Sequence, residues 1–111
     1  MRTSKETDFN VEVEGFGTFV FGRRTRDDHF KIRSRYNVLT EGLYDENGNC
    51  TDLAALGYVV LQTMLVSDPE SFNFAGLDPL MDDEFDKKIL KVFNALSAKE
   101  QSFRPQPTQA S

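Results

Sequence analysis

The stretch Phe9-Asn10-Val11-Glu12-Val13-Glu14-Gly15-Phe16-Gly17-Thr18-Phe19-Val20-Phe21 decides the fold class. Phe9, Val11 and Val13 alternate with Asn10, Glu12 and Glu14. That is the period of a strand with one buried face. A second alternating run follows Gly15-Phe16-Gly17 and places Phe19 and Phe21 on one face, Val20 on the other. Two such runs joined by a short Gly-containing loop predict a β-hairpin. A phosphate-cradling loop needs its glycines to lead into a helix N-terminus. Here they lead into a strand, so Gly15 and Gly17 read as turn residues.

After Gly22 the period changes. Thr25, followed by Asp27 and Asp28, is an N-cap with acidic residues in the first turn. Ile32, Tyr36, Leu39 and Leu43 then recur at helical spacing and predict one apolar stripe. Asp45-Glu46-Asn47-Gly48-Asn49 is a turn cluster. Thr51 or Asp52 caps a second helix, Leu53–Val66, apolar on nearly all sides, as a helix in the middle of a domain is. Its Leu56, Val60, Leu61 and Met64 are expected to meet Tyr36 and Leu39 of the first helix and Ile89, Val92 and Leu96 of the third. Ser67-Asp68-Pro69 ends it. Residues 69–81 read as an ordered loop anchored by Phe72, Phe74, Leu77 and Leu80. Asp82 is expected to cap the third helix, whose stripe is Phe85, Ile89, Val92, Phe93 and Leu96, continued by Phe103.

The predicted fold is α+β and mainly helical, an N-terminal β-hairpin followed by a three-helix bundle. Residues 1–8 are expected to form a flexible N-terminus, 9–103 a single domain and 104–111 a disordered tail. The chain of 111 residues suits one domain. No apolar run is long enough to span a membrane, and no secretory signal is visible in MRTSKETDF.

One Cys and one His exclude a disulfide framework and an ordinary Cys/His zinc site. His29 lies beside Asp27 and Asp28, but no nucleophile stands in a recognisable pattern, and Cys50 has no nearby His. No catalytic, cofactor-binding or metal-binding residues are predicted. The acidic residues of 68–86 lack the spacing of a calcium loop. They read as caps and a solvated face.

The charge is uneven. Residues 23–35 hold six cations against two carboxylates in a chain of net charge −5. Residues 68–86 hold seven carboxylates and no cation. The basic side chains flank the helical stripe on both sides and do not gather on one face, so nucleic-acid binding is disfavoured. The basic and acidic segments are expected to pair, within one chain or between copies. The unpaired edges of a lone hairpin, and Phe30 opposite the stripe, point to protein contact. Phe16, Phe19, Phe21, Arg23, Arg24, Arg26 and Phe30 are the candidate partner-binding residues.

The sequence resembles the small tail assembly chaperones of long-tailed bacteriophages and prophages. The resemblance runs from about Val11 to Arg104. It is carried by GxGTFVF at Gly15–Phe21, RRT at Arg23–Thr25, P-E-x-aromatic at Pro69–Phe72, LDPL at Leu77–Leu80 and K-E-x-S-F-R at Lys99–Arg104. It implies a non-enzymatic, mainly helical chaperone in the cytoplasm of the bacterial host. Such a protein binds the tape measure protein, helps tail tube subunits polymerise around it and tends to form homo-oligomers. The family has no catalytic residues or cofactors to carry over. The readings left open are another phage head or tail completion or interaction protein, and a nucleic-acid-associated regulator using the basic first helix.

Overall fold

Gly15 and Gly17 take φ of 89° and 124°, a region that side chains with a Cβ avoid, and so close a tight hairpin. In the computed structural model, which describes residues 2–104, β1 is Phe9–Val13 and β2 is Gly17–Phe21, antiparallel, with Val11 opposite Phe19. The inward face carries Val11, Val13, Phe19 and Phe21, all buried.

The sheet has three strands. The second helix stops at Met64, two residues earlier than its apolar run predicts, and Leu65–Ser67 forms β3, antiparallel to β2. The backbone N–H of Gly22 also donates to the Met64 carbonyl at 2.9 Å. β2 is therefore central, and its second edge is not open. The order is β1-β2-β3. Leu65 remains in the core, so the apolar pattern alone cannot separate helix from strand here. The unpaired edge of β2 can.

α1 spans Arg26–Thr40. Thr25 is its N-cap and forms a capping box with Asp28: the Thr25 hydroxyl accepts from Asp28 N, and Asp28 accepts from Thr25 N. Ile32 and Tyr36 are buried, but Leu39 and Leu43 are not. Tyr36 explains where the stripe ends. Its hydroxyl donates to the Leu43 carbonyl at 2.6 Å and accepts from Asp52 N at 3.0 Å, tying the end of α1 to the cap of the next helix. The chain turns at Glu41 and Gly42, both at positive φ. Leu43 thus serves the fold through its backbone, and its side chain stays outside.

α2 spans Leu53–Met64, capped by Asp52, whose carboxylate accepts from Ala55 N. α3 spans Phe85–Gln101. Its N-cap residue is Glu84. Asp82 lies in the preceding turn, where it accepts from Glu84 N and pairs with Lys88. A single turn of 3-10 helix, Phe74–Gly76, lies in the loop before α3. Phe72 of that loop is buried against Phe19 and Phe16, whereas Leu80, expected as an anchor, is exposed.

α2 packs on both α1 and α3, and α3 also covers β1. Gly57 permits the close approach of α2 and α3: a Cβ there would meet Ile89 and Phe93 at 3.1–3.3 Å. Val60, Leu61 and Met64 are buried, with Leu56 partly so. The architecture is a mixed α+β domain in which the expected hairpin and three helices are joined by a third strand. Helices take fewer than half of the described residues, and the sheet supplies one wall of the core.

Within the segment 1–8, Arg2 contacts the folded domain. Its backbone N–H donates to the Leu65 carbonyl, and its guanidinium pairs with buried Asp28 at 2.8 Å. Gly22 makes room for it, since a Cβ there would lie 2.2 Å from Arg2 Nε. Residues 105–111 of the expected tail lie outside the described residues.

Burial acts to raise the pKa of Asp28. Hydrogen bonds from Arg2 and Thr25, with the Arg2 charge, outweigh it and bring the pKa from 3.8 down to about 2. A depressed pKa stabilises the folded state while the group is ionised. The contribution, about 2 kcal/mol, is full above about pH 4 and is lost as pH falls toward about 2. Asp28→Asn is therefore expected to be less stable than the parent at neutral pH, with the gap narrowing through the acid range. Denaturant titrations at several pH values check this. Parallel stability curves would contradict it.

Candidate protein-binding surface

The basic residues after β2 are occupied within the fold. The Arg24 guanidinium makes two hydrogen bonds to Glu100 near the end of α3, at 2.9 and 3.1 Å. Arg23 lies 4.4 Å over the ring of Phe103, which itself packs edge-on against Phe9 at 4.9 Å. Together these contacts latch the C-terminal end of α3 to the hairpin. Among the described residues the basic segment forms no ion pair with the acidic segment 68–86. The acidic residues turn inward to backbone instead: Asp68 accepts from Phe74 N, Asp78 from Leu80 N and Asp82 from Glu84 N.

The predicted partner-binding residues divide accordingly. Phe19 and Phe21 are fully buried, so they are core residues and not docking anchors. Phe16 is half-buried between Phe72 and Lys91. Arg23 and Arg24 hold α3. Arg26 and Phe30 remain exposed, with His29 beside Phe30. Cys50 is half-buried in a bridge to Tyr44. Among the described residues no group of His, Cys, Asp and Glu is placed to hold a metal ion, and no helix is long and apolar enough to cross a membrane.

A larger exposed apolar surface lies on the other flank of α1, where the stripe residues were expected to be core. Two adjoining grooves of about 370 and 410 Å³ meet there, and Leu39 and Tyr58 line both. One is walled by Val38, Val59 and Gln62, with Arg35 at its rim. The other is walled by Ala54, Ala55, Leu77, Pro79 and Phe85, with Asp52 and Asp86 at its rim. Tyr58 forms a rigid floor, its ring 5.5 Å from Phe74 and 6.2 Å from Phe85. Val38 is 81% exposed, Leu39 53% and Leu53 54%. Leu80 and Met81 follow Pro79 in the chain and are 92% and 85% exposed. Single exposed apolar residues are ordinary, but a clustered set marks a contact surface.

The floor is built from aromatic side chains beside small ones, the form of a groove that takes a partner's apolar anchors. Asp52 and Asp86 line one of the two grooves, and the Arg35 guanidinium, whose residue lines the other, hydrogen-bonds Thr63 outside both. Sequence reading missed this surface because Leu39 and Leu43 sit at core spacing. Val38, next to Leu39 and off that stripe, was the one available signal. No family model, curated protein or solved structure matches this chain.

Proposed function

We propose that this protein is a non-enzymatic tail assembly chaperone of a long-tailed phage or prophage. In this reading it binds the tape measure protein in the bacterial cytoplasm and assists assembly of the tail tube around it. The observation that carries the reading is the exposed apolar groove between α1 and α2, with Leu77 and Pro79 in its wall. A tape measure client would enter it with an apolar stripe, as an amphipathic helix does in a hydrophobic groove.

The motifs of the resemblance lend support by their positions. The RRT and K-E-x-S-F-R segments touch through Arg24–Glu100 and Arg23–Phe103, and LDPL supplies Leu77 and Pro79 to the groove wall. A nucleic-acid reading has less support. Arg24 is paired, Arg23 lies on an aromatic ring, and Arg35 lies on the opposite flank of α1 from Arg26.

The test is binding to purified tape measure fragments. The parent chain is expected to capture at least one fragment, and Val38→Asp to weaken that capture by more than about tenfold, roughly 1.4 kcal/mol. Because Val38 is largely exposed, the variant should melt within a few degrees of the parent. A parent chain that captures no fragment would overturn the reading.

A further inference from the structure

We propose that the polar cavity between the N-terminal segment, α1 and α2 binds a phosphate group, as free phosphate or as a small phosphate monoester. The cavity has a volume of about 300 Å³ and is lined by Arg2, Lys31 and Arg35 with Asp28, Gln62 and Thr63. It adjoins one apolar groove, with which it shares Arg35 and Gln62. Three cations face one carboxylate there, a local excess of positive charge in a chain of net charge −5.

The one carboxylate is already used. Asp28 accepts from Arg2 through one oxygen, and from the Thr25 N–H and hydroxyl through the other. Lys31 and Arg35 have no such partner. Among the described residues neither forms an ion pair. They stand four residues apart on α1, where like charges repel. Arg2 adds a third positive charge from the N-terminal segment. Gathering these cations around one cavity costs electrostatic energy that a doubly charged anion would recover.

Two of the donors are held in place. The 2.7 Å hydrogen bond from Arg35 Nη1 to the Thr63 hydroxyl draws the guanidinium to this cavity. That hydroxyl donates in turn to the Val59 carbonyl at 2.8 Å, which fixes it as the acceptor for Arg35. Arg2 is pinned through its backbone to Leu65, and its guanidinium is seated against Gly22 and Asp28. Each guanidinium uses one terminal nitrogen within the fold and keeps further N–H groups to donate. Planar guanidinium forks match phosphate oxygens in pairs, and Lys31 adds a flexible point charge. Gln62 brings an amide from the exposed side. A carboxylate ligand, with one charge and two oxygens, would leave part of this donor set unused.

Backbone-amide NMR shifts of the full chain test the proposal, with inorganic phosphate titrated at neutral pH and constant ionic strength. The expected result is saturable shifts centred on Arg2, Lys31 and Gln62. Lys31→Gln and Arg35→Gln are each expected to weaken binding several-fold. Lys31 is exposed, so its variant should melt with the parent when phosphate is absent. Saturating phosphate should then raise the parent's melting temperature more than the variant's. Acetate is expected to bind about tenfold more weakly than phosphate, or worse. Phenyl phosphate separates the two sources. Saturation by both phosphates assigns the site to a phosphate group on an organic body, and saturation by the free ion alone assigns it to free phosphate. Shifts that do not saturate or that spread over the whole surface, a Lys31→Gln chain that binds like the parent, or acetate bound as tightly as phosphate would overturn the proposal. None of these results bears on capture of tape measure fragments, so the two readings fail separately.

Discussion

Leu61→Ala is expected to lower the unfolding free energy by about 2–5 kcal/mol. Leu61 is fully buried on the middle helix, surrounded by a core to which all three strands and the other two helices contribute. Removing its branched end deletes dispersion contacts and leaves a cavity that the surrounding elements must collapse to fill. They are poorly placed to do so. Gly57 already brings α2 and α3 close together, and Tyr36 fixes α1 through hydrogen bonds at both sides of its hydroxyl. A domain of this size has roughly 5–15 kcal/mol in total, so the loss would be a large share of it. Urea or thermal unfolding monitored by circular dichroism gives the measurement. A variant within about 0.5 kcal/mol of the parent would show that Leu61 is not in the packed interior.

Phe19→Ala is expected to cost about 3–5 kcal/mol and to impair folding before it impairs any contact with a partner. Its ring stacks on Phe21 at 6.1 Å and meets Phe72 edge-on at 5.0 Å and Phe16 at 6.4 Å. These contacts tie the central strand to the loop after β3. The control is Phe30→Ala, at a residue 62% exposed, expected to change stability by less than about 0.5 kcal/mol. Equal losses in the two variants would mean that the burial assigned to Phe19 is wrong. Selective loss of binding in a fully stable Phe19→Ala chain would return that residue to the interface.

The groove shows why an apolar stripe is an incomplete guide to a core. Ile32, Tyr36, Leu39 and Leu43 share one spacing, yet only the first two are covered. Periodicity identifies which face favours burial. It does not say whether another element arrives to bury it. Here α2 covers the stripe only as far as Tyr36, and the polar hydroxyl of that residue draws the backbone of Leu43 inward without its side chain. What the pattern describes as core therefore becomes surface, with Val38 beside it.

By itself the sequence determined the hairpin, the cap at Thr25, a cap at Thr51 or Asp52, and a central helix rich in buried residues. Those features depend on neighbours a few positions away: alternation, glycines that accept positive φ, and side-chain oxygens that satisfy the first N–H groups of a helix. Only the tertiary structure decided that Leu65–Ser67 is a strand, because the reason lies in the unpaired edge of β2 more than forty residues earlier. The same holds for Arg24, whose partner Glu100 is 76 residues away, and for Arg2 on Asp28. Hydrogen-bond donors and charges must find partners wherever the chain returns to them, and no local pattern records where that will be.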